Sequence, residues 1–201
     1  MDFSGASLYI LDRLQLELKP GLSYHCVGHT LAVLEATRIL ADAEKIEPHQ
    51  KILIETAALY HDAGMIIQYH DHESASVVLA QQTLPEFGYS ISEIDEIAGL
   101  IMVTRLPQRP YNHLEQIICD ADLDYLGQDN FFINSFKLRL EWQVNGIKNT
   151  TLPEWFDIQI KFLSEHQYFT NSALLLRNEK KLKHLKEIKE LMSQNTANRK
   201  S

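Results

Sequence analysis

The chain has no excess of positive charge, no long apolar run and very little cysteine. Its 19 Lys and Arg stand against 27 Asp and Glu, a formal charge of −8 over 201 residues. Such a balance argues against nonspecific binding to nucleic-acid polymers, which requires a basic face. No stretch approaches the ~18 consecutive apolar residues of a membrane-spanning helix. The first residues, Met1-Asp2-Phe3-Ser4-Gly5, lack the basic-then-apolar layout of a secretory leader. The two cysteines, Cys26 and Cys119, lie in apolar segments, which fits reduced thiols and a cytoplasmic location. There is no repeat and no low-complexity linker. With 45% hydrophobic residues the chain can bury one good core, so a single domain over 1–201 is expected.

What is present is helical periodicity, with almost no strand pattern. Leu8, Ile10, Leu11, Leu14 and Leu18 recur at helical spacing until Lys19-Pro20-Gly21. Further helices are expected over Tyr24 to Ala43, His49 to His61, and from Asp71 or Ser74 to about Phe87-Gly88. A fifth has a capped start at Ser92-Glu93. Arg105 to Pro110 must be a loop, because Pro107 and Pro110 interrupt any helix. Helical patterns resume at His113–Tyr125 and Asn130–Val144, and Pro153 opens another, with Trp155, Ile158, Phe162 and Leu163 on one stripe. The last helix, Ser172 to Met192, carries Lys180, Lys181, Lys183, Lys186 and Lys189, which read as a solvated face. Gln194 to Ser201 reads as a frayed tail. The fold class is all-α.

Chemistry concentrates in three helices. The run Ala57-Ala58-Leu59-Tyr60 ends in His61-Asp62, two groups that need a partner inside a core, since an unpaired buried polar group costs roughly 1–3 kcal/mol. A divalent cation would satisfy both at once. His25 and His29 are four apart, which puts them on one face of the second helix. Asp120, Asp122 and Asp124 interrupt the apolar run Ile117 to Tyr125, and three such acids repel unless solvent or a cation intervenes. The small residues Gly28, Ala58, Ala63 and Ala121 would let helices approach closely around these groups. Taken alone, His29 reads as a core histidine bonded to a carbonyl. Taken with His61, Asp62 and Asp122 it reads as a metal ligand.

The order His29, His61-Asp62, Asp122, with Leu-Tyr-His-Asp-Ala-Gly around the pair, resembles the HD superfamily of metal-dependent phosphohydrolases over roughly Tyr24 to Gly127. The stretch Asp122-Leu-Asp-Tyr-Leu-Gly, and more loosely Phe162 to Lys180, is similar to one uncharacterised bacterial branch of it. The resemblance implies an HD-domain helical bundle with a core at about 22–130 and additional C-terminal helices at about 131–193. It also implies that His29, His61, Asp62 and Asp122 share one divalent ion. Two imidazoles and two carboxylates suit Mn, Fe, Zn, Co or Ni better than Ca or Mg. Asp122 is preferred to Asp120 because it matches the family's Ala-Asp, leaving Asp120 and Asp124 to cap, hydrate or orient ligands. A bound cation lowers the pKa of its water and neutralises charge on a phosphoryl oxygen.

The remaining candidates carry two readings each. His25 resembles the Tyr-His of cyclic-nucleotide phosphodiesterases, where that His protonates a leaving oxygen; its other reading is packing. Glu73 lies in a Glu-x-Ser-Ala-like stretch and would steer the attacking water, or else favour a helix N-terminus. His72 is a further candidate ligand, and Arg105, or Arg109, a phosphate clamp. His113 begins a helix, and His49, His166 and His184 read as surface residues. Binuclear relatives add two histidines between the pair and the last Asp, whereas here His70, His72 and His113 crowd the ends of that interval, so a single metal is expected. The Glu-Asp of alarmone hydrolases is absent, since Ala63-Gly64-Met65-Ile66 follows the pair. The resulting expectation is a cytoplasmic phosphohydrolase for a small nucleotide or other phosphorylated metabolite. A di-iron oxygenase on the same fold and a noncatalytic metal-binding module are the alternatives, and helices after Gln128 are a candidate homodimer surface.

Overall fold

Cap chemistry sets where the helices begin. The computed structural model describes residues 1–198 and, among them, contains no strand. Asp2 accepts a hydrogen bond from Gly5 N at 2.9 Å and starts α1 (Phe3–Glu17) five residues before the apolar periodicity does. Cys26, in extended conformation, precedes α2 (Val27–Ala43), so Tyr24 and His25 lie ahead of that helix. Pro48 occupies the first turn of α3 (Pro48–Tyr60). Asp71, left-handed at φ 59°, turns the chain into α4 (His72–Thr83), which continues as a short 3-10 turn at Leu84–Phe87. Ser90, rather than Ser92, caps α5 (Ile91–Met102) in a reciprocal arrangement with Glu93. Asn112 caps α6 (His113–Asp122).

These six helices belong to one compact unit, Met1–Leu123. Its centre is α3, buried continuously from Leu53 to Tyr60. A helix apolar on every side must be surrounded, and α1, α2, α5 and α6 all pack against it. Two polar pairs lie inside this layer: Thr56 meets the Tyr89 hydroxyl at 2.8 Å, and Tyr60 meets Thr83 at 3.1 Å.

Where α3 ends, His61 and Asp62 lead into a 3-10 turn, Ala63–Ile66, and α4 folds back onto that turn. Ser76, fully buried on α4, clamps the junction: its hydroxyl accepts from Gly64 N and donates to His61 O, each at 2.7 Å. Gly64 allows the approach, because a Cβ there would run into the backbone of His72 and Ser76. Gly28, expected to play that part, is exposed and meets only the Cys26 sulfur at ordinary contact distance.

The second unit, Asp124–Ser201, begins with a 3-10 turn at Asp124–Gly127 and holds α7 (Phe131–Val144), α8 (Leu152–Glu165) and α9 (Asn171–Asn198). Thr151 and Glu154 cap α8 reciprocally. α9 packs on α8 and on the 124–127 turn. There Arg177 donates to the buried Asp124 carboxylate at 2.6 Å, and His184 Nδ1 donates to Leu126 O at 3.0 Å. His184 is thus a core residue, stacked on Phe131 at 4.8 Å, not a surface one. The lysine face is likewise interrupted. Lys181 is buried, donates to His166 O at 2.6 Å, and is lowered in pKa by desolvation. The helix also runs past Gln194 to Asn198, where a frayed tail is expected; the rest of that tail, 199–201, lies outside the described residues. Among the described residues no helix is long and apolar enough to cross a membrane.

The tight seat of α4 has a direct test. Gly64→Ala should destabilise the protein by about 1–3 kcal/mol or more, the range for forcing a methyl into a filled space. A thermal melt followed by circular dichroism reads this, and an unchanged midpoint would show that α4 does not rest on Gly64.

Candidate metal centre

Each end of α3, α2 and α6 nearest the 61–62 junction contributes one side chain. His61, the residue closing α3, is 1% exposed, and its Nδ1–H donates to Ala58 O at 2.7 Å. That bond assigns the proton to Nδ1 and leaves the Nε2 lone pair facing inward. Nε2 lies 3.2 Å from Asp62 Oδ2, 3.3 Å from His29 Nε2 and 3.7 Å from Asp122 Oδ1. His29, in the first turn of α2, places its Nε2 3.4 Å from both Asp62 Oδ2 and Asp122 Oδ1. Asp122 ends α6, and Gln108 Nε2 donates to its outer oxygen, Oδ2, at 3.0 Å.

The four donors so gathered fit a cation. Ligand atoms ~2.0–2.2 Å from an ion, at angles between octahedral and tetrahedral, lie roughly 2.8–3.6 Å from one another. The separations above span 3.2–3.7 Å. Asp62 Oδ2 is buried and receives no hydrogen bond. An imidazole lone pair set against such an oxygen is repulsive unless a proton or a metal ion lies between them.

The electrostatics of the donor set agree. Burial pushes the His61 pKa down, but the adjacent Asp62 charge, with Asp122 and the Ala58 carbonyl behind it, outweighs it and holds His61 at about 9. Burial pushes Asp62 up, and the neighbouring His61 and His25 overcome that, keeping its carboxyl well below the usual range. A proton therefore occupies the place a cation would take.

The other edge of Asp62 faces a second group. Oδ1 lies 3.2 Å from Nε2 of His72, the first residue of α4, whose Nδ1–H donates to Tyr69 O at 3.0 Å. His25, in the bend before α2, brings its ring to 5.5 Å from that of His72 and 6.0 Å from that of His29. One donor atom from each of His25, Asp62 and His72 lies within 4.8 Å of the others, as is also true of His29, His61 and Asp122. His25 and His29 do converge, but not as neighbours on one helical face, because the helix starts only at Val27.

Of the remaining candidates, Glu73 and Arg105 lie next to His72. Glu73 sits in the first turn of α4 with Oε1 3.7 Å from His72 Nε2 and Oε2 3.5 Å from Arg105 Nε. Arg105 also donates to Ser74 Oγ at 3.0 Å and pairs with Asp71. Arg109 lines a shallow cavity of about 430 Å³ with Arg105, Leu106 and Tyr111. Asp120 is fully buried, whereas the Asp124 carboxylate is taken by Arg177 and Gln128. His113 pairs with Glu44 at 3.3 Å, His49 with Glu93 at 2.9 Å, and His70 is exposed. Sequence reasoning missed Ser76, Gly64 and Gln108. Ser76 carries a trace in the Glu-Ser-Ala-Ser run, whereas an amide between two prolines announces nothing.

Residues 27–124 match the family model of the HD domain. A solved structure similar to this chain is the crystal structure of a predicted HD superfamily hydrolase from an uncultured Thermotogales bacterium, with a TM-score of 0.59 and 21% identity over 95% of this chain and 91% of that one. At that identity the likeness speaks to the fold. No curated protein matches this chain.

The raised His61 pKa fixes the sign of a pH effect. A group whose pKa rises on folding, here from 6.5 to about 9, stabilises the fold fully below its unfolded value and loses that contribution as pH climbs through its folded one. Chelator-treated protein should therefore lose thermal stability between those limits, and added Mn²⁺ should flatten the decline by replacing the proton. Melting curves that fall equally with and without metal would contradict the site.

Proposed function

Residues 27–124 make this chain an HD-superfamily protein, and from that premise we propose a metal-dependent phosphohydrolase that cleaves a phosphate ester of a small nucleotide or another phosphorylated metabolite. The observation that carries the reading is the enclosure of the hydrogen-bond-free Asp62 Oδ2 by His29, His61 and Asp122 at ligand-to-ligand spacing. In the proposal these four side chains hold a divalent transition ion of the Mn, Fe, Zn, Co or Ni group. When bound, such an ion supplies a more acidic water and a counter-charge for a phosphoryl oxygen.

The chain's own groups do the rest. The Ala58 carbonyl orients the His61 ring, and Gln108 holds the outer oxygen of Asp122, so both donors are fixed before a substrate arrives. Glu73, on the rim beside His72, steers the attacking water and accepts its proton. Arg105, poised against Glu73 and Asp71, draws phosphate oxygens into an otherwise acidic surround. His25 protonates the leaving oxygen. The substrate is a small anion in the cytoplasm, not a polymer or a membrane lipid, and the protein works alone or as a homodimer.

Release of inorganic phosphate from a panel of phosphorylated metabolites, under anaerobic conditions with Mn²⁺ supplied, tests this. Products that form only with dioxygen and iron would replace the reading with an oxygenase. Tight metal without turnover on any member would leave a binding module. Asp62→Ala should lose both bound metal and activity, and a metal-loaded, fully active variant would refute the site. Glu73→Gln should keep its metal and slow turnover by on the order of 10²-fold, the scale of a lost proton transfer. Unchanged turnover would assign Glu73 to stabilising the start of α4.

A further inference from the structure

We propose that the cavity between α5 and the loop after it is a nucleobase subsite, with Tyr111 as its stacking face and Arg109 as the donor to the base edge. The inference rests on the phosphate-ester reading above and narrows it. The ester is a nucleotide whose base lies in this cavity and whose phosphate lies beside Arg105. At about 430 Å³ the cavity falls inside the ~300–1,000 Å³ range of small-ligand sites.

Three features single it out. The first is Tyr111, 92% exposed on the cavity wall. Its backbone is nevertheless anchored: Tyr111 N donates to Glu115 Oε2 at 2.6 Å, and Asn112 Nδ2 donates to Oε1 of the same carboxylate at 2.8 Å. Asn112 caps α6, so the ring is carried at the fixed start of a helix. An aromatic face open to water beside a cavity is a platform for a planar ring. The second feature is Arg109, exposed and without a hydrogen bond or ion pair among the described residues. The acid on the same wall, Glu115, already has both oxygens engaged. A guanidinium fork with free donors matches paired acceptors along the edge of a base. The third is Gly99 of α5, which is exposed, and where a Cβ would meet nothing within 4 Å. Its missing side chain leaves open a floor whose other members include the apolar Met102, Val103 and Leu106.

The lining itself joins this cavity to the candidate centre. Arg105 lines it, with Nε 3.5 Å from Glu73 Oε2. Met102 lines it too, with its sulfur 4.0 Å from the hydroxyl of Ser74 in the first turn of α4. Gln108, one residue before Arg109, donates to Asp122 Oδ2. A ligand whose phosphate meets Arg105 thus has room for its remainder against Tyr111 and Arg109. In a chain of net charge −8, two arginines on one wall are a local exception that favours an anionic ligand. Arg109, an alternative phosphate clamp in the sequence, serves the base, and Arg105 keeps the phosphate.

Equilibrium binding to chelator-treated full-length protein tests the cavity without reference to turnover. Isothermal titration calorimetry compares the 5′-monophosphates of the common ribonucleosides with ribose 5-phosphate, which keeps sugar and phosphate and lacks the base. At least one nucleotide should bind about tenfold tighter than ribose 5-phosphate, the scale of one stacked base. Tyr111→Ala and Arg109→Ala should each erase most of that advantage. Gly99→Leu should do the same by filling the floor, while raising helix propensity. All three positions are exposed, and circular dichroism checks that each variant keeps native helicity. Ribose 5-phosphate binding as tightly as every nucleotide would overturn the subsite and leave a phosphate clamp alone. A nucleotide advantage untouched by all three substitutions would also overturn it. Phosphate release from metabolites with no such advantage strikes only the subsite, whereas a Tyr111-dependent advantage without phosphate release upholds the subsite and strikes only the hydrolase.

Discussion

A carboxylate is buried between imidazole nitrogens at the end of the central helix, and the fold around it depends on that contact. Asp62 and His61 follow a helix whose final eight residues are all buried, so the chain has no means of turning them outward. The cost of enclosing a charge of this kind is several kcal/mol unless something of opposite sign meets it. Two backbone carbonyls, Ala58 O and Tyr69 O, claim the Nδ1 protons of His61 and His72, two of the three histidines that face this carboxylate. What remains is a concentration of nitrogen and carboxylate donors held close to one another.

The helices around α3 read naturally as the means of maintaining that enclosure. α2 brings His29 from one side and α6 brings Asp122 from another, both packed on α3 itself. α4 closes the third side with His72 and Glu73 in its first turn. Arg105, from the segment after α5, pairs with Asp71 and Ser74 at the start of α4 and finishes the rim, where exposed ion pairs contribute little to stability and remain free to exchange partners.

The sequence makes some of this legible and hides the rest for identifiable reasons. The all-α class, the helix order and the grouping of His29, His61, Asp62 and Asp122 are visible because apolar periodicity and an ordered set of ligand types are local or linear properties. Cap geometry is less so. The extended Cys26 removes His25 from α2, and Ser90 takes a role that Ser92 could equally have filled on residue type. Least visible are contacts that depend on which helix lies across the way. Ser76, Gln108 and Gly64 have ordinary neighbours in the chain, and their roles arise from backbone groups at His61, Asp122 and His72. His184 and Lys181 look solvated by composition, yet both are buried against carbonyl oxygens within the second unit.

The closeness of α4 to the turn below it has a mechanical consequence. Where two backbones touch with only a hydrogen atom between them, at Gly64, no side chain is available to bend and absorb a displacement. Tilting the helix drags the turn, and dragging the turn rotates the carboxylate beside it. The imidazole that opens α4 and the acid that closes the His-Asp pair are therefore anchored to one rigid seat.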